Sequence, residues 1–242
     1  MEKIYKREDY LKKIRGFYKD DIIKVITGIR RCGKSYFLKS VIEELLENSI
    51  KEKDIIYIEL DKKEYKDIKT SKELEKIIDE KIIDNDFKYL FIDEVQNAKN
   101  FESLINAYRE EKNISIFITG SNSYLLSGEL VTKLTGRYIE IEMTTLSFYE
   151  YVDMKRFLNK SVNENIYLEF EEYIRNGGFP KSLDYDNYDE KILYTSSVIN
   201  QIFEKDIQTS NKIKDKALFE RIEKYIINNF GAVTSIKNIH DY

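Results

Sequence analysis

The most specific chemistry in the sequence lies in eight residues near its start. Gly28-Ile29-Arg30-Arg31-Cys32-Gly33-Lys34-Ser35 fits the spacing G-x-x-x-x-G-K-[ST]. The glycines let the backbone turn tightly, so that successive N–H groups face phosphate oxygens. A helix beginning at the loop would add the positive end of its dipole. Lys34 is placed to reach the β and γ phosphates of a nucleoside triphosphate, and the Ser35 hydroxyl to ligate Mg2+. Tyr36 follows at the mouth of the same loop. Asp93 and Glu94 form a second centre, closing the apolar run Tyr89-Leu90-Phe91-Ile92. One carboxylate there can hold Mg2+, and its neighbour can orient and polarise an attacking water.

These residues need a scaffold, and the hydrophobic pattern supplies one. Residues 22–28 are a short β-branched run suited to a strand buried on both faces. Phe37, Leu38, Val41 and Leu45 then recur at helical spacing. Further strands are expected at 55–60, 89–95, 114–120 and 138–143. Helices are expected at about 71–84, 101–111 and 123–134. Strands alternating with helices predict an α/β fold, a five-stranded parallel sheet covered on both faces. After residue 147 the pattern turns helical, with helices near 147–158, 164–176, 189–208 and 215–229. Gly177-Gly178-Phe179-Pro180 is the strongest break in that half.

Composition narrows the function classes. The net charge is −4 with both signs interleaved, which argues against a strongly basic nucleic-acid binder. Cys32 is the single cysteine, so no disulfide framework can form within the chain. His240 is the single histidine, so no histidine cluster for metal or nucleophilic chemistry can form, and it reads as a surface residue. No stretch approaches the ~20 apolar residues of a membrane helix, and the N-terminus lacks a signal-peptide core, so a cytoplasmic protein is expected. Cys32 sits in the loop beside a helix N-terminus, a setting that tends to lower a thiol pKa. A reactive thiol, shielded by bound nucleotide, is therefore expected.

GIRRCGKS, FIDEVQN, ITGSNSYLL, LTGRYIEIEMTTLSFYEY and NGGFP occur in one order. Together they resemble the predicted AAA+ superfamily P-loop ATPases of bacteria and archaea, strongly from residue 22 to about 150. The resemblance implies a core over 1–147, a helical lid over 148–210 and the start of a winged helix over 211–242. It implies ATP and Mg2+ as cofactors, with ATP hydrolysis coupled to conformational change. Ser121 or Asn122 would sense the γ-phosphate. Arg137 would act as an arginine finger in a neighbouring subunit of a homo-oligomer, and Pro180 would pack near the adenine base. Arg30 and Arg31 would contact phosphates or a domain interface. The family usually continues further, so the winged helix is expected to be incomplete and DNA binding to need a longer form. Two alternatives remain: a nucleotide-controlled switch, and a DNA-binding module of a mobile element or defence system, each with incidental hydrolysis.

Overall fold

The computed structural model describes residues 3–111, 113–120, 134, 136–208, 213 and 215–240. Five strands form one parallel sheet: β1 (Ile23–Gly28), β2 (Ile55–Glu59), β3 (Lys88–Asp93), β4 (Ile114–Thr119) and β5 (Tyr138–Met143). Their order is β2-β3-β4-β1-β5, so β4 separates the strand that feeds the glycine-rich loop from the strand that ends in Asp93. Interposing one strand sets the loop and the acidic pair side by side at the carboxyl edge of the sheet, where ligands of open α/β sheets bind.

Alternation along the strands explains why both faces are covered. In β3, Leu90 and Ile92 join one apolar cluster while Tyr89 and Phe91 join the other. In β4, Ile114, Ile116 and Ile118 face the first cluster and Phe117 the second, stacked on Phe91 with ring centroids 4.5 Å apart. The first face is closed by α3 (Ser71–Lys81) and α4 (Phe101–Glu110), through Leu74, Ile78, Phe101 and Ile105. The second is closed by α1 (Glu8–Ile14) and α2 (Lys34–Glu47), through Leu11, Ile14, Phe37, Leu38 and Val41. Helix α1 has no counterpart in the sequence reading. It is tied to α2 by Arg15, 2.7 Å from Glu44, whose carboxylate also accepts the Tyr18 hydroxyl at 2.8 Å.

Most expected elements are present within a residue or two at their ends. The third strand is shorter than expected, stopping at Asp93 because Glu94 takes a left-handed φ of 57° and turns the chain into a short 3-10 helix, Val95–Asn97. The helix expected at 123–134 lies outside the described residues apart from Leu134, which is buried.

Beyond β5 the chain enters α5 (Phe148–Phe157), α6 (Ile166–Asn176), a 3-10 turn Pro180–Asp184 and α7 (Tyr188–Gln201). Ser147 and Glu150 cap α5 reciprocally, satisfying amides at 3.3 and 2.9 Å. Leu146, Tyr151, Val152 and Leu183 form a small core under these helices. Residues 1–200 are one compact unit and 201–242 a second. The second holds a π-helix, Ile202–Gln208, then α8 (Lys216–Asn228) and α9 (Ile236–His240). Within it Phe203 and Phe219 meet edge to face at 6.0 Å, and Asp215 caps α8 by accepting the Leu218 amide at 2.9 Å. Among the described residues no helix is long and apolar enough to cross a membrane.

Gly178 marks where the helical part packs against the sheet's exit. Its carbonyl accepts the Leu146 amide at 2.7 Å, and an added methyl group would lie 2.5 Å from Leu146 O. Gly178→Ala must therefore push backbone apart. We expect it to lower the free energy of urea unfolding by about 1–3 kcal/mol; an unchanged unfolding midpoint would show that this approach is not tight.

Candidate functional site

The loop from Gly28 to Ser35 is held by two glycines that other residues could not replace easily. Gly28 has φ 146°, and a methyl group there would lie 2.3 Å from Met143 O, so β5 passes directly against the start of the loop. Gly33 has φ 107° and precedes the first residue of α2. Arg31, although not glycine, also adopts a left-handed φ of 65°. Local conformations of this kind cost about 1–3 kcal/mol each and persist where the surroundings enforce them.

Lys34 is buried, and its ammonium donates to Gly28 O at 3.0 Å and Ile29 O at 3.3 Å. It stands 4.0 Å from Glu94 Oε1. Glu94 is largely enclosed, and burial pushes its carboxyl pKa up against the opposing pull of Lys34. Its second oxygen accepts from Gln96 Nε2. Asp93 is 5 % exposed, and its Oδ1 accepts the Thr119 hydroxyl. Thr119 Oγ1 in turn accepts the Glu94 amide at 2.9 Å. One threonine at the end of β4 thus fixes both acidic neighbours at the end of β3. The sequence reading passed over Thr119, which is hidden at the end of an apolar run. Its signal was positional: it is the last strand residue before Gly120, on the strand between the two motifs.

The remaining candidates are distributed as follows. Ser35 opens α2 beside Lys34 and is partly exposed. Ile29, Arg31 and Tyr36 are exposed at the loop's rim, and Lys39 Nζ lies 5.3 Å over the Tyr36 ring. Arg30 is partly buried. Pro180 lies near the loop: a methyl group added at Gly33 would just touch its Cγ, at 3.8 Å. The charge of Arg31 also reaches Tyr194 in α7, where it offsets part of the upward push that burial gives that phenol. Ser121 and Asn122 lie outside the described residues. Arg137 is exposed at the opposite edge of the sheet, its carbonyl accepting the Ile23 amide at 2.9 Å. Since β5 runs parallel to β1 from Tyr138 to Met143, roughly 17 Å of strand separates Arg137 from this chain's own loop. No single arginine side chain spans that distance.

Cys32 differs from expectation. Its backbone is part of the loop, but its thiol is 0 % exposed and packs in the core among Phe37, Leu38 and Met143. Burial raises the thiol pKa, outweighing the lowering by Lys34 and Arg7. Desolvation defeats the helix-terminus effect because the side chain points into the sheet's core and not toward the loop's mouth.

The donor set of Ser35 and Asp93 is all oxygen, one hydroxyl and one carboxylate, which suits a hard cation such as Mg2+. A triphosphate would lie against Lys34 and the loop amides. Comparison with known proteins identifies the family. A family model described as an AAA domain matches residues 20–152. The chain belongs to this family. It is thereby a P-loop AAA+ protein, with a nucleotide-binding, ATPase-type fold. A second match, over 167–241, is described only as a domain of unknown function. An uncharacterized protein of Haemophilus influenzae is 35 % identical over 236 residues, covering 96 % of this chain and 58 % of the relative. Another, from Methanocaldococcus jannaschii, is 32 % identical over 226 residues, covering 90 % and 49 %. The chain therefore spans about half the length of the curated relatives it matches. Among solved structures, the closed state of Hsp104 with ATPγS and FITC-casein aligns at TM-score 0.54 and 15 % identity. That alignment covers 95 % of this chain and 47 % of the other, a likeness of fold.

The buried thiol gives this AAA domain a direct test. Cys32 in the native chain is expected to react with an aromatic disulfide at least tenfold more slowly than in the urea-unfolded chain. Equal rates would place the thiol at the loop's surface after all.

Proposed function

We propose that this AAA-domain protein binds ATP and hydrolyses it with Mg2+, and that the chemistry is coupled to movement between the sheet and the lid. The observation that carries this reading is the pairing of the buried Lys34 ammonium with Glu94 at 4.0 Å, beside Asp93. A cradle for phosphate, an oxygen donor set for the metal and a carboxylate base meet at one edge of the sheet.

Each group has a role in this reading. Lys34 exchanges its bonds to Gly28 O and Ile29 O for oxygens of the β and γ phosphates, and the loop amides take the rest of the charge. Ser35 and Asp93 would hold Mg2+, whose charge when bound would balance that of the phosphates. Glu94 accepts a proton from water as the water oxygen attacks the γ-phosphorus, and the bond to the β,γ-bridging oxygen breaks to leave ADP and phosphate. Thr119 holds Asp93 through its hydroxyl and receives the Glu94 amide, so that the two acidic groups keep their spacing. Ser121 or Asn122 senses the γ-phosphate. Pro180, against Gly33, carries the occupancy of the loop into the lid. The same proximity of Pro180 to Gly33 favours the second reading, a nucleotide switch, because it could link lid position to the loop without requiring turnover. We further propose that Arg137, too far from its own loop, serves the site of a neighbouring protomer.

Lys34→Ala should abolish measurable ATP binding in a calorimetric titration. Glu94→Gln should retain binding and slow phosphate release by ~10² or more. Native-like turnover in Glu94→Gln would place water activation elsewhere.

The raised carboxyl pKa of Glu94 adds a pH dependence. A protonated Glu94 cannot accept the proton from water. The rate should therefore fall as pH drops through that raised value, at a higher pH than an ordinary glutamate would give. A rate that does not fall as pH drops would contradict the role given to this buried base.

A further inference from the structure

Arg7 lies outside the region matched by the AAA-domain family, in the segment leading to α1. Its guanidinium is nonetheless 5 % exposed and fully bonded. Nε donates to Glu150 Oε1 at 2.8 Å and Nη2 to Glu150 Oε2 at 2.7 Å, a two-pronged ion pair. Nη1 donates to Thr144 O at 2.7 Å and to Cys32 O at 3.2 Å, and Nη2 also donates to Thr145 O at 3.2 Å. These contacts use all the N–H donors a guanidinium has. The Tyr10 ring lies 4.6 Å from the guanidinium carbon, and the Tyr10 hydroxyl accepts the Thr144 amide at 3.2 Å. Burying a cation this fully is costly unless every donor is matched, and here every donor is.

Two of the groups it holds belong to the candidate site. The first is the carbonyl of Cys32, inside the loop. No peptide bond among those described is cis, and in a trans peptide the C=O and N–H point in opposite directions. A Cys32 carbonyl fixed on Arg7 therefore aims the Gly33 N–H away from Arg7. The second is the connection from β5 into α5. Arg7 holds the carbonyls of residues 144 and 145, and its partner Glu150 closes the cap of α5 through the Ser147 amide. That connection is also where the lid seats, through Leu146 N to Gly178 O at 2.7 Å and Tyr173 OH to Leu146 O at 2.8 Å.

We propose that Arg7 is a positioning residue of the nucleotide site. It orients the Cys32–Gly33 peptide toward phosphate and ties that peptide to residues 144–150, so that the loop and the lid entrance move as one piece. Lysine cannot substitute, since an ammonium lacks the planar fork that reaches a carboxylate and three carbonyls together. The proposal rests on the ATP reading of the loop.

The test uses the full chain. ATP affinity is measured by titration for the wild type and for Arg7→Lys, with circular dichroism confirming that the variant is folded. The expected result is wild-type binding, with affinity weakened by about tenfold or more in Arg7→Lys, the scale of loss when a binding group is held slightly out of place. A folded Arg7→Lys with wild-type affinity would overturn the proposal. Failure of the wild type to bind ATP would instead sink the nucleotide reading itself, and the role of Arg7 with it. Hydrogen exchange on the wild type gives a readout independent of any variant's folding. ATP should slow exchange at Thr144, Leu146 and Ser147 together with residues 28–36. Protection confined to the loop would show that Arg7 does no more than anchor the N-terminal segment.

Discussion

The structure is organised around a buried ammonium. Lys34 cannot sit in the interior of the sheet's edge without compensation, and the fold provides it with two loop carbonyls and the Glu94 carboxylate. The same ammonium needs glycine at 28 and 33, because only a tightly turned loop brings its own carbonyls within reach. Gly28 in turn lets β5 pass against the loop through Met143 O. The strained loop, the acidic pair and the sheet's order are thus parts of one electrostatic arrangement.

The sheet order explains why that arrangement forms in three dimensions from residues 59 positions apart in sequence, Lys34 and Asp93. With β4 between β1 and β3, the ends of all three strands lie at one edge, and Thr119 at the end of β4 can bond both to Asp93 and to Glu94. The apolar alternation that buries both faces of β3 and β4 holds these ends rigidly. Site geometry and core packing are therefore the same problem, which is why the polar residues of the site sit where the strands stop.

Much of this was legible in the sequence, and the parts that were not share a cause. The loop motif, the acidic pair and most of the strand–helix alternation are local signals, and among the described residues they correspond to observed elements. Arg7 and Glu150 carry no local signal, since nothing nearby in sequence reveals that residues 143 positions apart bond in the interior. Thr119 was masked by the apolar run it ends. Cys32 was misjudged because its place in the loop was visible while the direction of its side chain was not. That direction follows from the close packing of Gly28 and Met143 around the thiol. In each case the missing information was a long-range contact.

The account stands on Lys34 being the residue that trades loop carbonyls for phosphate. A crystal structure of the chain with Mg2+ and a non-hydrolysable ATP analogue tests this directly. The expected structure has Lys34 Nζ off Gly28 O and Ile29 O and on the β and γ phosphates, with Ser35 and Asp93 around the metal and Glu94 facing the γ-phosphate. An analogue bound elsewhere, with Lys34 still held by the two loop carbonyls, would contradict it.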